Sequence, residues 1–349
     1  MISFNNLQIL TSRLYGELSE AIDSVVASGV YLRGLATALF EQEWAAYCGQ
    51  KYCVACGSGT DALTLAALTL DLKAAEVPAN TIPLTAVGLH RGGAAVRPVD
   101  VDHNGRLGTV SPCSVPVLLY GRMPSGQELG CTIFDAAHAH GWKPPAHAVA
   151  CWSFYPTKTL GAMGDGGAIT TNDKNVAKKA KELAGRDDVL RDGRQITSRM
   201  DEIQAAILRV KLRHLDFWLR ERRTIAETYL RELGNALVSD PTADLNHLIV
   251  IRTENRDDLM LHLESCGISS KIHFPQALNT QKAPWGSGES LPNAEKWCRT
   301  VLSLPCYLGM TEQDIVYVCE KIKGWRANGM GRNVAGCRAN VRVACDQSQ

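Results

Sequence analysis

The chain has 349 residues, enough to bury a large core and to divide into two domains. Its composition, 45% hydrophobic and 21% charged, is that of an ordinary globular protein, and a net charge of +1 leaves no global field to draw nucleic acid or a membrane surface. The first 21 residues set Asn5, Asn6, Arg13, Glu17 and Glu20 among apolar side chains and contain no h-region, so the sequence predicts a cytoplasmic protein without a signal peptide or a spanning segment.

Residues 7–28 and 35–47 read as two helices that precede any strand. From residue 52 the pattern alternates, with strand-like runs at 52–56, 75–79, 95–101, 115–120, 131–135 and 149–154 and helical stretches at 60–72 and 82–92. Strands alternating with helices predict an α/β fold, a mainly parallel central sheet with helices on both faces. Residues 201–233 form one long amphipathic stretch, with Ile203, Ala206, Ile207, Val210, Leu215 and Leu219 near helical spacing. After Pro241 come an apolar run at 248–251, a helix at 256–265 and a strand at 270–274. The predicted division is a large domain over 1–238, a smaller C-terminal α+β domain over 239–324 and a tail over 325–349. That tail loses periodicity and holds four arginines against one acid, which reads as disorder, with a basic contact arm as the alternative.

Twelve cysteines in a long chain without a secretion signal read as reduced thiols rather than a disulfide framework. Cys48, Cys53 and Cys56 have the C-x4-C-x2-C spacing that plant-type iron–sulfur proteins also use. Cys53 and Cys56, however, lie in the apolar run Tyr52-Cys53-Val54-Ala55-Cys56. There cysteine behaves as a small hydrophobe in a buried strand, and no metal is expected.

Three motifs could carry chemistry. The first, Cys56-Gly57-Ser58-Gly59-Thr60-Asp61-Ala62, lies between a strand and a helix, where glycines permit close backbone approach and a helix start offers unpaired N–H groups to a phosphate. It also fits the dinucleotide pattern G-x-G-x-x-A, with Glu76 near the distance expected for a ribose ligand, so a NAD-dependent dehydrogenase competes. A third reading is a capped helix and nothing more. The second motif, Cys131-Thr132-Ile133-Phe134-Asp135-Ala136-Ala137-His138-Ala139-His140-Gly141, ends an apolar strand on a carboxylate. A carboxylate at that edge of an α/β sheet sits where ligands bind and, if buried, needs a cationic or hydrogen-bonding partner such as a protonated pyridine nitrogen. It reads equally well as the cap of the next helix, while D-x-x-H-x-H is not a diagnostic metal spacing. The third motif places Lys158 after an apolar strand and before four glycines, at 161, 164, 166 and 167. Schiff-base chemistry needs a lysine whose amine can be neutral, which burial promotes, and glycines let backbone approach a flat cofactor. Without its neighbours Lys158 is an ordinary loop lysine.

In this order the three motifs resemble those of the nucleotide-sugar aminotransferases of the DegT/StrS family, pyridoxal-phosphate (PLP) enzymes of fold type I. The likeness rests on Ser58-Gly59-Thr60-Asp61-Ala62-Leu63, on residues 135–141, and on residues 153–167 with Met163 as one extra residue before Gly164. It continues through residues 198–208, 272–275 and 302–305, and so spans about residues 5–323. The segment 208–218 looks most like members that act on dTDP-linked 3-keto-6-deoxy sugars.

The resemblance implies that Lys158 carries PLP as a Schiff base and, once freed, moves the proton of an amino-acid donor, by family habit glutamate. It implies that Asp135 pairs with the pyridine nitrogen, that Ser58, Gly59, Thr60 and Ser153 hold the phosphate, and that Arg199 and His273 contact the substrate or a neighbouring subunit of a homodimer. The chain departs from the pattern at Ile82, where an aromatic side chain usually stacks on the ring. It departs at His138, where glutamine usually approaches the ring oxygen, and at Thr197, where an asparagine usually reaches the phosphate of the other subunit. Leu118 replaces a common histidine, and the segment 102–115 is short. Ile82, His138 and Thr197 favour a second alternative, a non-catalytic or altered-specificity protein on the same fold. Members that dehydrate sugars lack the lysine, so Lys158 argues against that reaction.

Overall fold

A computed structural model describes residues 1–185 and 193–327. The N-terminal region holds α1 (Leu7–Arg13), α2 (Tyr15–Ser28) and α3 (Leu35–Cys48). The single helix expected over 7–28 is therefore two, because Leu14 leaves helical geometry between them (φ −108°, ψ 11°). The start of α3 has no capping side chain of its own. Instead the Glu202 carboxylate, 168 residues away in the chain, accepts hydrogen bonds from the N–H groups of Gly34, Ala36 and Thr37 at 2.9, 2.7 and 3.1 Å. A negative charge there satisfies orphan donors and complements the helix dipole.

The central sheet is built from β1 (Tyr52–Cys56), β2 (Ala74–Pro78), β3 (Ala95–Val99), β4 (Ile133–Asp135), β5 (Val149–Ser153) and β6 (Gly167–Thr171). The strands β1-β6-β5-β4 form one hydrogen-bonded group and β2-β3 another. Residues 113–118 bridge the two groups. Val115 N–H donates to Glu76 and Glu76 N–H to Cys113 on one side, while Leu118 N–H donates to Asp135 and Asp135 N–H to Pro116 on the other. The strand expected over 115–120 is reduced to this connection, because Pro116 has no N–H to give a ladder and the chain turns at Tyr120. The sheet is mainly parallel, with one reversed strand that makes it mixed. Its β6, which the sequence reading passed over, runs antiparallel to both β1 and β5.

Helices cover both faces, as the alternation predicts. On one, α2, α3 and α7 (Glu202–Leu212) pack Phe40, Trp44 and Leu208 against Phe134, Trp152 and Phe154 of the sheet region. On the other, α4 (Gly59–Thr69), α5 (Pro83–Arg91) and α6 (Lys174–Leu183) pack Leu65, Leu89 and Ala180 against Val54, Cys151 and Ile169. The long helix expected over 201–233 breaks at residues 213–214 into α7 and α8 (Leu215–Leu233).

A third core joins Ile225 and Tyr229 of α8 to β7 (Ile249–Arg252), α9 (Arg256–Ser265), β8 (Val301–Leu304) and α11 (Glu312–Ala327), with α10 (Pro292–Thr300) preceding β8. It therefore begins inside α8, before residue 239. The strand expected over 270–274 is a single bridge, Lys271 to Ser303. Residues 325–327, expected in the tail, close α11, and Trp325 is buried. The remaining tail residues lie outside those described. Among the described residues no helix is long and apolar enough to cross a membrane.

Candidate active site

The sheet topology gathers the three motifs at one edge. With β6 reversed between them, β1 and β5 run the same way, and β4 runs parallel to β5. The turn after β1, the carboxylate ending β4 and the loop after β5 therefore share the C-terminal edge of the sheet, where α/β folds place ligands. One cavity there is lined by Ser58, Gly59, Thr60, Ile82, Asp135, His138, Ser153 and Lys158.

The turn into α4 is shaped by what is missing from it. A Cβ on Gly59 would lie 2.6 Å from the Ser153 Cβ, so only glycine lets the turn sit against the end of β5. Ser58 caps α4 by accepting the Asp61 N–H at 3.1 Å. Ser198 links the turn to a distant segment, accepting from Gly57 N–H at 2.9 Å and donating to Asp61 Oδ2 at 2.8 Å. The result is a helix N-terminus with serine and threonine hydroxyls beside it, a setting suited to a phosphate.

Asp135 is buried at the end of β4. Its Oδ2 accepts from Thr85 Oγ1 at 2.7 Å and its Oδ1 from Ala137 N–H at 3.1 Å. Burial raises its pKa, while those two hydrogen bonds and the Lys158 charge resist the rise. Removal from water lowers the Lys158 ammonium from 10.5 to about 8, with the Asp135 carboxylate pulling the other way. A lysine so placed reaches its neutral, nucleophilic form close to neutral pH.

The Lys158 loop is tied down at three points. Thr159 Oγ1 lies 3.1 Å from His247 Nδ1, the buried Lys211 amine donates to Gly161 O at 2.6 Å, and Met163 N–H donates to Gln204 Oε1 at 2.9 Å. The extra residue Met163 thus has a backbone partner on α7. His138 accepts Tyr120 N–H at its Nδ1, 3.1 Å away, and its ring centre lies 4.5 Å from that of His247. Burial holds both imidazoles well below their usual range, and Lys158 pushes the same way.

Three expected residues fall outside the cavity lining. Thr197 is exposed and Arg199 half-buried next to the Ser198 anchor. His273 is turned to other work: its Nδ1 meets Ser303 Oγ at 2.9 Å, and its carbonyl accepts the Tyr120 hydroxyl at 2.5 Å. The sequence reading missed Thr85, Tyr155, Asp165 and Leu119, which join the lining.

Glu76 removes the dehydrogenase reading. It is held by Arg97, by Ser111 Oγ at 2.7 Å and by Ser114 Oγ at 3.3 Å. Moreover β1 and β2 are not neighbours, so the turn after β1 does not open a βαβ unit. Nor do Asp135, His138 and His140 converge: His140 packs against Trp44, Trp152 and Phe154.

The model of the DegT/DnrJ/EryC1/StrS aminotransferase family matches residues 13–113 and 127–323. The chain belongs to this family. It is 37% identical, over 87% of its own length and 94% of the relative's, to the erythromycin biosynthesis sensory transduction protein EryC1 of Saccharopolyspora erythraea. It is 33% identical, over 93% and 96%, to a dTDP-3-amino-3,4,6-trideoxy-alpha-D-glucose transaminase of Streptomyces venezuelae. Among solved structures, S. venezuelae DesV in complex with a ketimine intermediate superposes with a TM-score of 0.86 at 32% identity, covering 95% of this chain and 99% of that one.

The DegT/DnrJ/EryC1/StrS aminotransferases are PLP-dependent. The cavity fits that cofactor on three independent counts. Lys158 supplies an amine that loses its proton readily, Asp135 supplies a buried carboxylate in need of a cationic partner, and the Gly59 turn supplies a cradle that a Cβ would fill.

Proposed function

We propose that this protein transfers an amino group from an amino acid, glutamate, to the keto group of a nucleotide-linked deoxy sugar of the dTDP-3-keto-6-deoxyhexose type. The observation that carries the reading is the joint presence of Lys158, Asp135 and the Gly59–Ser153 cradle in one cavity. The name of the 33% identical transaminase supports the choice of sugar.

Bound in the cavity, PLP would supply an electron sink for the charge left when the donor's α-carbon loses its proton. Lys158 would hold the cofactor covalently and, once displaced by the donor, take that proton and return it on the other side of the transfer. Its lowered pKa suits both tasks. Asp135 would pair as carboxylate with the protonated ring nitrogen, an opposite charge that relieves its burial. Ser58, Gly59, Thr60 and Ser153 would hold the phosphate at the start of α4. Ile82 would cover the ring by apolar contact, and His138 would face the ring oxygen. Thr197, exposed on its own subunit, would complete the cavity of a second copy in a homodimer, with Arg199 and His273 near the incoming sugar.

A second reading, a protein that keeps the fold without turnover, draws on Ile82, Thr197 and the sensory-transduction name of one relative. Glutamate separates the two. A transaminase loaded with PLP loses its visible band on adding glutamate and releases 2-oxoglutarate, and adding a dTDP-keto-sugar restores the band. A non-catalytic protein holds the band unchanged.

A further inference from the structure

We infer that His138 is locked as the Nε2–H tautomer by the backbone of Tyr120, and that it therefore acts as a neutral, non-titrating hydrogen-bond donor into the cavity, toward the ring oxygen of the cofactor. The inference rests on the PLP reading above and adds the protonation state and the device that sets it.

The lock begins in the connection between the two strand groups. Leu118 N–H is held by the Asp135 carbonyl, so residues 116–118 run beside β4. The chain then turns with Tyr120 in the left-handed region (φ 66°) and Gly121 following it (φ 85°). A buried tyrosine with positive φ carries strain that its surroundings must hold in place. The phenol does so at one end, donating to the His273 carbonyl at 2.5 Å and accepting Trp297 Nε1–H at 3.2 Å. Gly121 does so at the other, since a Cβ there would lie 2.9 Å from His247 N and 3.0 Å from the His138 carbonyl oxygen.

This turn aims Tyr120 N–H at His138 Nδ1, 3.1 Å away. A backbone N–H can only donate, so Nδ1 must present its lone pair. A neutral imidazole with Nδ1 as acceptor carries its proton on Nε2. Protonation of the ring would set two donors against each other at Nδ1. The groups around the ring oppose it as well: Lys158, His140, His247 and His273 are basic, and burial acts in the same direction. Two acids line the cavity among the described residues: Asp135, engaged by Thr85 and Ala137, and Asp165, on the loop that follows Lys158.

The test is nitrogen-15 NMR of the histidine rings in the full chain, first without cofactor and then with PLP, the His138 signals being assigned by their loss in His138→Gln. The expected result is an unprotonated Nδ1 and a protonated Nε2 that do not titrate between about pH 6 and pH 8. Adding PLP should move the Nε2–H signal and leave Nδ1 in place. A protonated Nδ1, a titrating ring, or an Nε2 signal unmoved when a borohydride-reducible visible band has formed would overturn the inference. Failure of that band to form would instead sink the PLP reading, and the tautomer measured without cofactor would still be decided. A second readout is the pH midpoint of the visible band. His138→Gln keeps a donor and should leave the midpoint near that of the wild type. His138→Leu leaves more charge on the ring oxygen and should raise it by about one pH unit; equal midpoints in the two variants would contradict donation to the ring.

Discussion

Lys158 and Asp135 line one cavity in which burial disfavours the charged form of both, while the charge of each opposes that effect on the other. Asp135→Asn should therefore still fold, since an amide suits the buried site, but it removes the partner for a protonated ring nitrogen. Turnover should fall by about 10²-fold or more, with the protein still taking up PLP, as read by steady-state kinetics beside a PLP titration. Ile82→Phe should act the other way on binding. An aromatic face adds about 0.5–1.5 kcal/mol over apolar contact, so PLP should bind roughly two- to tenfold tighter; unchanged affinity would mean that Ile82 does not cover the ring. The meeting of Lys158, Asp135 and Gly59 in one cavity was legible in the sequence because lysine, aspartate and glycine at those spacings are unusual together. Thr85 was not, because a lone hydroxyl in a helix looks like any other until the fold brings it to 2.7 Å from Asp135. Thr197, Arg199 and His273 were read from likeness alone, and none lines the cavity of its own chain.

At the scale of elements, the site depends on helix ends and on close backbone contacts. Gly59→Ala would drive a methyl into Ser153 and push α4 off β5. The expected loss is about 1–3 kcal/mol of stability together with weaker PLP binding, measurable by urea unfolding and by a cofactor titration. Glu202→Ala should destabilise by a similar amount through the three orphaned N–H groups of α3, and without touching the cavity. Comparing the two separates damage to the fold from damage to the site. Periodicity revealed most elements here. It missed β6 because the glycines before it resemble a continuing loop, and it overextended the run at 115–120 because apolar residues on either side of Pro116 look like a strand. The split between α7 and α8 was hidden for a related reason: Arg213 and His214 interrupt neither the charge pattern nor the apolar stripe.

Across the whole molecule, the reversed β6 brings the ends of β1, β4 and β5 to one edge, and three buried histidines and the half-buried His273 stand around the amine there. Burial lowers the pKa of His140 and His273 to about 3 and holds His138 and His247 well below 6.5. The unfolded chain binds protons at these positions below about pH 6.5 while the folded chain does not, so stability is lost as pH falls from there toward 3. The slope contributed by each histidine approaches about 1.4 kcal/mol per pH unit, with the raised pKa of Asp135 opposing part of it. The cofactor-free protein should unfold at clearly lower urea concentration at about pH 5 than at pH 7; equal midpoints would mean these histidines are charged or solvated in the fold. The α/β class and the order of motifs were legible at this scale. The antiparallel strand and the histidine cluster were not, because both arise from residues far apart in sequence.

The central claim is that Lys158 is the covalent anchor of PLP. It is tested most directly by the visible absorption of the purified chain with PLP, before and after borohydride, in the wild type and in Lys158→Ala. A band in the wild type that borohydride abolishes, fixing the cofactor to the chain, and that Lys158→Ala never forms is the predicted result. A wild type without such a band, or a variant that still forms it, would contradict the claim.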